Sequence, residues 1–166
     1  MRALLGLLFL LVQLAAVTPA PVLAQVPDRV IVAFGDSLTS GLGVPADRTY
    51  PARLGERLRR EGFAYKVVNA GVSGDTTAGG LRRVDWALRL KPEIVILELG
   101  VNDALRGQNL ASVRANLDQL VTRFQAAGAR VLVAGMRLPP NYGTPYADDF
   151  YRLFSEVARA RNTPYL

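Results

Sequence analysis

The chain has neither cysteine nor histidine. Without cysteine there are no disulfides, no thiolate metal sites, no cysteine nucleophile and no lipid attachment through an N-terminal cysteine. Without histidine the usual general base near neutral pH is missing, as is the commonest metal ligand. Lysine is nearly absent as well: apart from Lys66 and Lys91, the 20 basic residues are arginine. There is no internal repeat, low-complexity tract or long linker. The 166 residues suit a single domain, and a composition half hydrophobic and one-fifth charged suits a globular one.

The N-terminus reads as an export signal. Arg2 is a short positive region, residues 3–17 are apolar except for Gln13, and Pro19 and Pro21 then break any helix. Val22-Leu23-Ala24 precedes an expected cut after Ala24. The apolar run is shorter than the roughly 20 residues of a membrane span. Residues 1–24 are therefore expected to be a signal peptide and residues 25–166 the mature domain, periplasmic or secreted, without a stable membrane anchor. The net charge of +6 is spread along the chain. Arg53, Arg57, Arg59, Arg60, Arg82, Arg83, Arg152, Arg159 and Arg161 fall on what should be solvated helix faces. No aromatic–basic pattern points to nucleic acid.

The pattern alternates strand and helix. Val30–Phe34, Tyr65–Ala70, Ile94–Leu99 and Arg130–Met136 are short apolar runs, as buried parallel strands should be. Between them, Tyr50, Leu54 and Leu58 form a helical stripe, Leu81–Leu90 a second helix, and Leu110, Val113, Leu117, Leu120, Val121 and Phe124 a third ending at Gly128. Phe150, Leu153, Phe154 and Val157 mark a fourth, and Trp86 should pack within its helix. This order predicts an α/β fold: a parallel sheet covered by helices on both faces. Such sheets bind ligands outside the carboxyl ends of their strands.

Four small, polar, glycine-containing loops follow those ends: Gly35-Asp36-Ser37-Leu38, Asn69-Ala70-Gly71-Val72-Ser73-Gly74-Asp75-Thr76, Gly100-Val101-Asn102-Asp103 and Arg137-Leu138-Pro139-Pro140-Asn141-Tyr142-Gly143. The chemistry available there is acyl transfer. Ser37 would be the nucleophile. The Ser37 and Gly74 backbone N–H groups and the Asn102 amide would be donors for an oxyanion. Asp36, Asp75 and Asp103 read as carboxylates that organise loops, and Gly71 as turn geometry. Neither lysine can serve as base, since Lys66 begins a strand and Lys91 ends a helix at the opposite edge.

These blocks resemble those of the GDSL, or SGNH, hydrolases. Gly35-Asp36-Ser37-Leu38 is similar to their first block, Ser73-Gly74-Asp75-Thr76 to the second and Gly100-Val101-Asn102-Asp103 to the third. The segment from Arg137 to Gly143 resembles a loop of the bacterial periplasmic arylesterase/acyl-thioesterase/lysophospholipase branch. The resemblance implies a three-layer α/β/α sandwich with a flavodoxin-like sheet of five parallel strands. It also implies hydrolysis of small acyl esters or thioesters through an acyl-enzyme, without metal or cofactor. The oligomeric state is left open by the sequence, a monomer being the expectation. It casts Ser37 as nucleophile and Gly74 and Asn102 as oxyanion donors. Arg137, Leu138 and Tyr142 are candidates for the acyl pocket.

Two departures stand out. Position 101 is Val, where Gly or Ala is frequent. The family's Asp-x-x-His block, which carries its general base, is absent. Leu166 falls where a fifth strand should begin, and a strand, a site loop and a closing helix would need about 25–45 further residues. The expectation is a C-terminally incomplete domain: the complete protein is expected to hydrolyse esters through an acyl-enzyme at Ser37, while these 166 residues lack the histidine base. The rival expectation is a non-catalytic binding protein of the same fold.

Overall fold

The computed structural model describes residues 29–166. The expected signal peptide and its boundary lie outside them. Four strands, β1 (Arg29–Gly35), β2 (Tyr65–Gly71), β3 (Ile94–Glu98) and β4 (Arg130–Val133), form one sheet in the order β2-β1-β3-β4. All its pairings are parallel. Tyr165 makes a parallel bridge to Val133, so the chain reaches the position of a fifth strand beside β4. This is the flavodoxin-like order, and it reverses direction between β1 and β3. The helices are α1 (Ser37–Ser40), α2 (Tyr50–Arg60), α3 (Thr77–Leu88), α4 (Val101–Leu105), α5 (Leu110–Ala126) and α6 (Thr144–Ala160).

Alternation along the strands sorts residues between the two faces. Val32, Val95 and Val131 are in register across the sheet, as are Phe34, Leu97 and Val133. These six are buried and form one core with Val84 and Ala87 of α3, the apolar stripe of α5 and Phe150, Leu153, Phe154 and Val157 of α6. Phe34 meets Phe124 edge-on, with ring centroids 5.3 Å apart. On the other face α2 packs on β2, with Gly55 beside Val67. That face is covered unevenly: Ile94, Ile96 and Leu132 remain half-exposed.

Several element ends differ from the sequence pattern for local reasons. α3 begins at Thr77, ahead of Leu81, because the Thr76 hydroxyl caps Gly79 N–H at 3.1 Å. Gly79 and Gly80 are thereby interior helix residues. β4 ends at Val133, although Ala134 and Gly135 still donate to Leu97 and Leu166. The two short helices α1 and α4 carry too few residues to show a period. Trp86, expected to pack, is 42% exposed.

Candidate active site

The switch point between β1 and β3 places two of the predicted loops side by side. Ser37 opens α1 directly after β1, and Asn102 lies in α4 directly after β3. A four-residue helix has no stability of its own, so α1 is held by what it touches. Asp36 caps it, accepting from Leu38 N–H at 3.0 Å. The Ser37 carbonyl accepts from Gly41 and Leu42 N–H, both at 3.0 Å, and from the Ser40 hydroxyl at 3.2 Å. The end of β2 lies against this helix. A Cβ on Gly71 would fall 2.1 Å from the Ser40 backbone nitrogen, so only glycine permits the approach. Ser40 and Ser73 then join hydroxyls at 2.9 Å across the two loops.

Asn102 ties these loops together. Its amide nitrogen donates to the Asp75 carbonyl at 2.9 Å and to the Asp36 carboxyl at 3.2 Å. One contact is thus to the residue after Gly74, the other to the residue before Ser37. Gly74 is exposed with φ +78°, and its carbonyl accepts from Arg106 at 3.0 Å. Ser37 and Asn102 are half-buried. The Asn102 amide is therefore already engaged at two points, the Asp36 contact being the longer.

The acidic residues organise the loops as their sequence context suggests. Asp103 is buried and accepts from the Thr77 N–H at 2.8 Å and the Thr77 hydroxyl at 2.7 Å. Asp75 accepts from Thr76 N–H and from Arg83 at 2.6 Å. Arg83 departs from its expected solvated place. Its side chain is 19% exposed, it donates to the Ala70 carbonyl at 2.8 Å and the Gly35 carbonyl at 2.9 Å, and it lies over the Phe34 ring. It joins the ends of β1 and β2 to the Asp75 loop. Asp36 is fully buried. Burial, and secondarily repulsion from Asp75 and Asp103, raise its carboxyl above the ordinary range.

Beneath α1 lies a group that no sequence pattern marked. Glu98, 7% exposed, accepts the Thr39 hydroxyl at 2.5 Å, and Tyr50 Oη lies 3.1 Å from Thr39 Oγ1. Burial pushes the Glu98 carboxyl up to about 7 and the Tyr50 phenol to about 12. The only hint in the sequence was an acid inside the otherwise apolar run Ile94–Leu99.

The fourth loop separates the three pocket candidates. Arg137 is exposed, stacked 3.9 Å from the Tyr151 ring centroid. Leu138 is buried in the core, and Tyr142 packs against that core. A cleft of about 610 Å³ lies elsewhere, at the amino ends of β3 and β4, lined by residues such as Ile94, Arg130 and Pro164. Among the described residues no group of three or more acidic, His or Cys side chains could hold a metal ion, and no helix is long and apolar enough to cross a membrane.

A flavodoxin-order parallel sheet, with loops after β1, β2 and β3 meeting at its switch point, has the architecture of an SGNH-type α/β hydrolase. Over residues 33–166 the chain matches the GDSL-like Lipase/Acylhydrolase family. The chain belongs to that family. It is 42% identical over 140 residues to Esterase TesA of Pseudomonas aeruginosa, a match covering 84% of this chain and 70% of that protein. It is 35% identical to thioesterase 1/protease 1/lysophospholipase L1 of Escherichia coli K12, over 86% of this chain and 67% of that one. Among solved structures it superposes with TM-score 0.80 on AlinE4, an SGNH-hydrolase family esterase. The identity there is 42%, over 84% of this chain and 75% of the other.

Proposed function

We propose that this chain is a serine acyl hydrolase whose nucleophile is Ser37, acting on small acyl esters or thioesters through an acyl-enzyme. The observation that carries the reading is the Asn102 amide, which bridges the residue before Ser37 and the residue after Gly74. In the proposed reaction a general base, which the family resemblance casts as the histidine of the Asp-x-x-His block, takes the Ser37 proton as the hydroxyl attacks the acyl carbonyl, and then hands it to the leaving alcohol or thiol. The resulting oxyanion takes N–H donors from Ser37, Gly74 and Asn102, and displaces the longer Asn102–Asp36 contact. The alcohol or thiol leaves, and water releases the acid. The ester and thioester scope is supported by the relatives, one named an esterase and the other a thioesterase and lysophospholipase. Export to the periplasm or beyond is part of the same proposal and rests on the N-terminal pattern.

The 166 residues include no histidine to take the Ser37 proton. Asp36 is adjacent, but its carboxyl is fully buried and accepts the Leu38 N–H, capping α1. Loss of the histidine base of a triad lowers turnover by about 10⁶-fold. A second reading, a binding protein of the same fold that performs no chemistry, is supported by an Asn102 amide already engaged by both Asp75 and Asp36.

The test is incubation of the purified chain with p-nitrophenyl butyrate, with and without added imidazole. Ser37→Ala serves as the control for solution hydrolysis. The hydrolase reading expects a butyryl adduct at Ser37 by mass spectrometry and imidazole-stimulated turnover that Ser37→Ala abolishes. Saturable ester binding without adduct would establish the binding protein instead.

A further inference from the structure

The Glu98 carboxyl is a buried ionisable group at this edge for which the proposed reaction has no use. It ends β3, in register with Gly35 at the end of β1, immediately before the nucleophile turn. Its side chain packs under α1 and accepts the hydroxyl of Thr39, a residue with no exposed surface. Thr39 in turn meets Tyr50 of α2. The Glu98–Thr39–Tyr50 series therefore joins β3, α1 and α2. The space is tight: a Cβ on Gly35 would fall 2.0 Å from Thr39 Oγ1 and 2.7 Å from Glu98 Oε2. The other oxygen, Glu98 Oε1, is buried without a hydrogen-bond partner.

A buried carboxyl with an unsatisfied oxygen costs stability, where an apolar residue of similar size would not. Capping does not explain it, because Asp36 already caps α1. What remains is the rotation of α1 about its own axis. Ser37 and Thr39 are separated by about 200° around the helix. Turning Thr39 inward onto Glu98 turns Ser37 outward, toward the loops that carry Gly74 and Asn102. The other bonds at Ser37 hold its carbonyl and leave its hydroxyl direction free.

We propose that Glu98 is a positioning residue for Ser37: by anchoring Thr39 it sets the rotation of α1 and confines the Ser37 side chain to one rotamer. The proposal rests on the reading of Ser37 as nucleophile, but its test does not depend on turnover.

The test is the three-bond Hα–Hβ couplings of Ser37 by NMR on isotope-labelled protein. The wild-type chain is expected to give one large and one small coupling, or two small ones, as a single rotamer does. Glu98→Gln, which keeps an acceptor for Thr39, should retain that pattern. Glu98→Ala and Thr39→Val should lose it and give averaged couplings, with the core resonances unchanged. If Glu98→Ala fails to fold, Thr39→Val decides by itself, since it removes only the hydroxyl link. Identical Ser37 couplings in the wild type and Thr39→Val overturn the proposal. A wild-type chain already averaged at Ser37 overturns it equally. Failure of the hydrolase reading is seen separately, as a missing Ser37 adduct with an ordered Ser37 rotamer.

Discussion

Glu98→Gln should make the protein more stable above neutral pH and leave it little changed in acid. The glutamate carboxyl is buried under α1, with one oxygen bonded to Thr39 and the other unpartnered. Burial raises it from 4.5 to about 7, and the nearby Asp36 carboxyl adds to the rise. Between those two values the folded state keeps a proton that the unfolded chain has released. Folding stability contributed by this group is therefore complete below about pH 4.5 and is lost as pH rises through about 7. The full difference corresponds to about 3 kcal/mol at 1.36 kcal/mol per tenfold change. Glutamine fills the same space, accepts from Thr39 and does not titrate. Asp36 is present in both proteins, so its own titration largely cancels in the comparison.

The assay is urea denaturation of both proteins, followed by circular dichroism, at intervals from pH 4.5 to 8.5. The stability of Glu98→Gln relative to wild type should grow by about 2–3 kcal/mol across that range, with most of the change between about pH 5 and 8. A difference constant to within about 0.5 kcal/mol would refute the reasoning, because a buried carboxyl that must ionise cannot leave stability independent of pH.

Other substitutions test other parts of the frame. Phe124→Ala removes a fully buried ring that meets Phe34 edge-on. It should cost about 3–5 kcal/mol in urea unfolding. Gly71→Ala puts a methyl 2.1 Å from the Ser40 backbone nitrogen. It should push α1 away from β2, seen as loss of amide-exchange protection in residues 37–42 while α5 keeps its own. Arg83→Met leaves the Asp75 carboxylate and the Gly35 and Ala70 carbonyls without their shared donor. It should destabilise by about 3 kcal/mol, as removal of one member of a largely buried pair does. Double substitution with Asp75→Asn should recover part of that loss.

Much of the architecture was visible in the order of residues. Short β-branched runs alternating with helical stripes specify a parallel α/β sheet, because a run apolar on both faces must be covered on both. The helix at Leu110–Ala126 was plain, since its apolar spacing runs from Leu110 to Phe124, about four turns, and Gly128 follows shortly after. α1 and α4 were not, for a helix of four or five residues has no period to detect. The start of α3 was obscured by Gly79 and Gly80, which read as loop until the Thr76 cap explains them.

The candidate site divides in the same way. Ser37, Gly74 and Asn102 each follow a strand, so their arrival at one edge of the sheet is a consequence of strand order and right-handed crossovers. The local sequence also determines that Asp36 caps α1, because the bond is between near neighbours. Only the tertiary structure decided the rest. Arg83 looked like any other arginine on a helix, yet it is drawn inward by two strand-end carbonyls, one of them 48 positions away. Glu98 and Thr39 are 59 positions apart and meet only because β1 and β3 are neighbours. Periodicity and motif spacing record which face or loop a residue occupies. The partner of a buried charge is set by which strands lie side by side, and that is a property of the folded sheet.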